Sequence, residues 1–172
     1  MNRHVPLALV LVLAIAEISV AQQKQPSAHQ TPRTANSDVR RGYSGMYTFL
    51  KDGEFVQLTI DDGGVSGFVS RYGDGESDKG AFLDQFFKTA SLRQNALTFT
   101  TETVHGVWYE FKGTVERGEG KKPGDEAYYV MKGLLVENST DANKKVTARS
   151  QQVIFRLFPD LDAPNQPQSS KN

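Results

Sequence analysis

Phe55-Val56-Gln57-Leu58-Thr59-Ile60-Asp61-Asp62-Gly63-Gly64-Val65-Ser66-Gly67-Phe68-Val69-Ser70-Arg71 decides the fold. Val56, Leu58 and Ile60 fall on one side of an extended chain, and Gln57 and Thr59 fall on the other. That period of two marks a strand with one face buried. Asp61-Asp62-Gly63-Gly64 supplies residues that tolerate positive φ, as a tight hairpin demands. Residues 65–71 then return as the second strand of the pair.

The same pattern continues on both sides of this hairpin. Upstream, residues 43–50 put Tyr43, Gly45, Tyr47 and Phe49 on one face, and Lys51-Asp52-Gly53 turns the chain. Downstream, a polar loop covers 72–81. Residues 86–93 read as a strand, with 82–87 able to open as a helical turn, and Gln94-Asn95 makes the next turn. Residues 97–103 follow, then 107–116, where Val107, Tyr109, Phe111 and Val115 share a face. A Gly- and Lys-rich loop at 117–125 leads to a strand at 127–137. A polar loop at 138–143 leads to the last strand, at 146–157.

The fold class is therefore all-β: an antiparallel up-and-down meander of about eight strands, with neighbours in sequence paired as hairpins. Three strands carry an interior glycine, Gly67, Gly113 and Gly133. Glycine suits a strand that bends sharply or that another backbone approaches closely. Closure also removes the edges that an open meander exposes. The sequence predicts a small barrel rather than a sandwich.

The ends differ in composition from this domain. Arg3 precedes an apolar run from Val5 to Ala16, and Ser19-Val20-Ala21 provides small residues at a cleavage site. This has the form of an export signal, 1–21, cut after Ala21. The run is about a dozen residues, short of the roughly 20 that span a bilayer. Residues 22–41 and 160–172 are rich in Gln, Ser, Pro and Asn and read as a disordered linker and tail. The β-barrel domain is then 42–159, and the expected location is secreted or periplasmic. The 172 residues include no cysteine, which removes thiol catalysis and thiolate metal sites. Formal net charge is zero, so neither nucleic acid nor an anionic membrane is indicated as a partner.

Ser44-Gly45-Met46-Tyr47 resembles the Gly-x-Trp opening strand of the calycin-type barrels, which include lipocalins and avidins. Val153-Ile154-Phe155-Arg156-Leu157 resembles their closing strand, in which a basic residue packs over the opening aromatic. Leu58-Thr59-Ile60 and Val65-Ser66-Gly67-Phe68 are similar to the second and third strands of avidins. Residues 131–135 resemble the segment that supplies the avidin ligand-covering Trp. The resemblance implies an eight-stranded barrel that encloses a small ligand. It does not carry biotin binding. Tyr47 replaces the opening Trp, Phe49 stands where avidins have a biotin-binding Asn, and Gly53 stands where they have Ser. Met131, Lys132 and Gly133 include no Trp, and the only Trp of the chain, Trp108, aligns with no avidin ligand residue.

Candidate chemistry is sparse. His105 is the only histidine of the domain, and His105-Gly106 reads as an exposed turn rather than a general base paired with Glu102. Asp74, Glu76 and Asp78 alternate along a loop as calcium ligands do. Lys79 replaces the glycine of an EF-hand, however, and Gln85 replaces its closing Glu. Residues 118–124 lack the spacing of a phosphate loop, and no helix follows them. Asn138-Ser139-Thr140 fits a glycosylation sequon. There is no nucleophile elbow, and alternation turns Glu110 and Glu116 outward, so no catalytic residues are assigned.

The aromatic residues are the strongest candidates for a site. Tyr47, Phe49, Phe99, Tyr109, Phe111 and Tyr129 face inward, where they either fill the barrel or line a pocket, with Arg149 as a polar contact. The leading expectation is a non-enzymatic binding protein for a small apolar or aromatic ligand, without cofactor. The alternatives are a protein-interaction or inhibitor module with a filled core, acting through loops 72–81 and 117–125, and a barrel enzyme of the isomerase or cyclase type.

Overall fold

The alternating stretch folds as two antiparallel strands joined at Asp61–Gly64, and hairpins of the same kind build the rest of the sheet. The computed structural model of the chain describes residues 39–62 and 64–160. The export signal 1–21 lies outside the described residues. So do the linker 22–41 apart from 39–41, which form a helical turn, and the tail 160–172 apart from Asp160.

Eight strands follow one another: β1 Gly45–Thr48, β2 Phe55–Asp61, β3 Gly64–Tyr72, β4 Phe82–Arg93, β5 Ala96–Thr101, β6 Val107–Arg117, β7 Tyr129–Thr140 and β8 Val146–Arg156. They form one sheet in chain order, every neighbour antiparallel. The sheet curls strongly into a half-barrel. Its outer strands meet at a narrow seam, the antiparallel bridge of Tyr47 with Leu157. Phe158 N–H donates to the Met46 carbonyl at 2.8 Å and Arg156 N–H to Thr48 Oγ1 at 2.9 Å. β1 is too short to cover the rest of β8, and residues 146–152 are exposed. That bare stretch is largely polar, which blunts it as a pairing edge.

β4 corrects the expectation of a helical turn at 82–87. Those residues are extended, with Tyr72, Arg71, Ser70, Val69 and Phe68 of β3 opposite Phe82, Leu83, Asp84, Gln85 and Phe86. Phe82 and Phe86, four apart, mimic a helical stripe. In fact both point outward, and polar Gln85 is the buried residue between them. A bulge between Phe87 and Thr89 then shifts the register, so that the second half of β4 pairs with β5. Such a bulge adds twist, which the curl of the sheet requires.

The concave face is packed with side chains. Tyr47, Val56, Leu58, Val69, Leu97, Met131 and Leu135 are fully buried there. A continuous chain of ring contacts crosses the interior. Phe87 stacks on Phe99 at 4.4 Å, Phe99 on Phe111 at 5.2 Å, and Phe111 meets Phe155 at 6.0 Å. Phe155 then meets Phe49 at 5.2 Å, and Phe49 meets Tyr109 edge-on at 5.1 Å. Gly113 and Gly133 face each other across β6 and β7. A Cβ on Gly113 would come within 2.1 Å of the Lys132 carbonyl and 2.6 Å of the Phe111 ring. The bare backbone there is what admits that ring.

Candidate functional site

A meander gathers its turns at two ends. One end carries the β1–β2, β3–β4, β5–β6 and β7–β8 turns. The other carries residues 39–44, the β2–β3 and β4–β5 turns, the long 118–128 loop and the segment 157–160.

Of the residues singled out from sequence, Tyr47, Phe49, Phe99, Tyr109 and Phe111 lie together in the core. Burial pushes the Tyr47 hydroxyl far above the usual phenol range, helped by the neighbouring Tyr129 and Tyr43, and Tyr47 donates to the Tyr43 carbonyl at 2.7 Å. Burial likewise raises Tyr109, with the Glu137 carboxylate adding to the effect. Tyr129 is only half-buried and sits at the second end, edge-on to Tyr43 at 4.9 Å. Arg149 is apart from all of these. It is exposed on the uncovered stretch of β8, opposite Glu137.

The first end is built from buried polar residues that the search for apolar alternation passed over. Arg71 is 3% exposed and Gln85 is 0% exposed. Arg71 Nε donates to Gln85 Oε1 at 3.1 Å, and its Nη1 donates to the Tyr72 carbonyl at 3.0 Å and lies 3.6 Å from Asp74. Gln85 Nε2 donates to the Val107 carbonyl at 2.7 Å. Glu54, also buried, accepts the Tyr72 and Lys51 backbone N–H groups, each at 3.1 Å. Each group thus spends its hydrogen-bonding capacity on fixing turns and strand ends, as buried polar groups must. Phase in the sequence does mark them. Arg71 continues the Val65, Gly67, Val69 face, and Glu54 begins the Val56, Leu58, Ile60 face.

The carboxylates of the 73–81 loop are engaged separately. Asp74 pairs with Lys51 at 3.1 Å and with Arg71, while Asp78 binds His105 Nδ1. The His105 hydrogen bond holds the Asp78 carboxyl below the ordinary aspartate range. Among the described residues, no three His, Cys, Asp or Glu side chains group to hold a metal ion. Glu110 is exposed, and Glu116 pairs with Lys132 at 3.5 Å on the convex face.

The second end holds a groove of about 660 Å³. Segment 157–160 runs along it, tied to β1 through Phe158, to Ala127 N–H by the Leu157 carbonyl at 2.8 Å, and to the Gly124 carbonyl by Asp160 N–H at 2.9 Å. Met46, Leu157, Phe158 and Pro159 line one part, and Pro123, Tyr128 and Tyr129 line another. The 118–128 wall is held in place. Arg117 lies 3.3 Å over the Tyr128 ring and donates to the Tyr128 and Gly120 carbonyls, each at 2.9 Å. Asp125 accepts the Lys121 and Lys122 N–H groups at 3.0 Å, which depresses its pKa. Ser44 and Asp160 also line the groove, with the Ser44 hydroxyl accepting the Ile60 N–H at 2.8 Å. Of this set only Tyr129 was expected from sequence as a pocket residue, while Pro123 and Gly124 fall in loop 117–125 of the alternative reading. The available sign was Phe158-Pro159, an aromatic and a proline continuing beyond the last strand.

The chain matches no family model, no curated protein and no solved structure. No helix among the described residues is long and apolar enough to cross a membrane.

Proposed function

We propose that this chain is an exported, calycin-like binding protein, without catalytic machinery, that holds a small apolar or aromatic molecule in the groove between β1, the 118–128 loop and segment 157–160. The observation that carries the reading is the groove itself. Its 660 Å³ falls within the roughly 300–1,000 Å³ typical of small-molecule sites. Its walls are largely apolar and aromatic. The reading puts the ligand there rather than in the barrel lumen because the lumen aromatics already contact one another. Export and a secreted or periplasmic location rest on the form of residues 1–21.

The test is a panel of apolar and aromatic fragments screened by amide chemical shift. Binding should move Met46, Tyr129, Leu157 and Phe158 together, and Tyr129→Ser should weaken it about tenfold or more. Shifts confined to the core strands, or none with any fragment at millimolar concentration, would refute the proposal.

A further inference from the structure

The convex face of β2, β3 and β4 carries aromatics where a solvated sheet face carries polar residues. Phe55 meets Phe68 at 5.8 Å, Phe68 meets Phe86 at 5.5 Å, and Tyr72 lies 4.6 Å from Phe82. Register explains the ladder, because Phe68 is directly opposite Phe86 and Tyr72 opposite Phe82. Phe86 is 61% exposed and Phe82 52% exposed, the former among the most exposed large apolar side chains described. A contiguous patch of this kind marks an interaction surface, whereas single exposed apolar residues do not.

The charges around the ladder indicate what covers it. On the same face of β4, Asp84 precedes Phe86 by two residues and Lys88 follows it by two, both exposed. Asp84 is therefore about 6.8 Å along the strand from the central ring, and Lys88 lies on the other side of that ring, at the bulge. Neither makes an ion pair among the described residues. A two-fold axis over Phe86, lying parallel to the face and perpendicular to β4, reverses the strand. It sets Phe86 against Phe86 of a second copy, Phe68 against its own equivalent, and Asp84 against Lys88 in both directions. The patch is thus complementary to itself, as an isologous interface must be. A formal net charge of zero leaves no long-range repulsion between copies.

We propose that this face is a homodimer interface, with two copies packed through their β2–β4 ladders and an Asp84–Lys88 pair on each side of Phe86. It is separate from the groove, and either proposal stands if the other fails.

The experiment is sedimentation equilibrium and native mass spectrometry of the purified protein at tens of micromolar. The wild type should be a dimer. Phe86→Ser should be monomeric with an unchanged far-ultraviolet spectrum, since the side chain it removes is exposed. Asp84→Lys and Lys88→Asp each set like charges face to face twice and should each weaken the dimer roughly tenfold, on the scale of two exposed ion pairs. Mixed together, these two variants should pair with each other in preference to themselves, and the double exchange D84K/K88D should restore the wild-type dimer. A monomeric wild type overturns the proposal. So does a dimer that survives Phe86→Ser, or one in which the mixed single variants show no preference for each other.

Discussion

The bond between Arg71 and Gln85 can be weighed by removing its partners singly and together. In Gln85→Leu, the buried Arg71 Nε loses its acceptor at 3.1 Å. The Val107 carbonyl does not become an orphan, because it also accepts from Val104 N–H at 3.0 Å. The loss is therefore chiefly one stranded donor on a charged group, about 2–3 kcal/mol. Arg71→Met strands Gln85 Oε1 instead and also gives up the bond to the Tyr72 carbonyl. Its ion pair with the exposed Asp74 adds little. That variant should also cost about 2–3 kcal/mol. The double variant leaves neither partner stranded and places apolar atoms in a site sealed from water. It should cost about 3 kcal/mol rather than the sum of near 5, a coupling of about 2 kcal/mol. Urea unfolding, followed by the fluorescence of the single Trp108, gives all three values from one set of midpoints. Additivity within about 0.5 kcal/mol would show that the two side chains stabilise the fold independently, and the reasoning would fail.

Three further outcomes follow from the packing and the loops. Phe155→Ala, at a residue 2% exposed that touches both Phe49 and Phe111, should lower stability by about 3–5 kcal/mol in the same unfolding assay. Gly113→Ala, whose Cβ would lie 2.1 Å from the Lys132 carbonyl, should cost about 1–3 kcal/mol and disturb β6–β7 amide protection in hydrogen exchange. The Asp78 carboxyl is depressed by His105. Its contribution is thus present above the ordinary aspartate value of 3.8 and is lost as pH falls through the lower folded-state value. Carboxyl carbon titration should find that midpoint below 3.8, and His105→Gln should move it upward.

Where the alternation has its usual sense, apolar inside and polar outside, the sequence was a sufficient guide. β2, β3 and β6 lie within a residue or two of their expected positions, because Val56, Leu58 and Ile60, then Val65 and Val69, then Val107, Tyr109, Phe111 and Val115 each mark an inward face. β4 inverts that sense. Its outward Phe82 and Phe86 and its inward Gln85 exchange the roles that periodicity assumes, and the bulge after Phe87 then changes the phase midway. Arg149 shows a different limit. It shares the phase of Val153 and Phe155 on β8, but β1 is too short to cover that stretch and leaves it exposed, and strand length is poorly marked in sequence. The groove was less legible still. It depends on how segment 157–160 lies against the 118–128 loop, an arrangement of backbone bonds such as Asp160 to Gly124 that no local pattern encodes.

The seam between β1 and β8 also has a consequence in time. Every other pairing in the sheet joins strands adjacent in the chain, so the ladder can grow hairpin by hairpin with small loops to close. The bond from Arg156 to Thr48 spans 108 residues and must wait until both ends are in place. Contacts that form after the rate-limiting barrier govern unfolding rather than folding. A lesion in the seam, such as Thr48→Val or Leu157→Ala, should leave the refolding rate nearly untouched and shorten the lifetime of the native state. The narrowest contact in the sheet would then act as the clasp that sets how long the molecule stays folded.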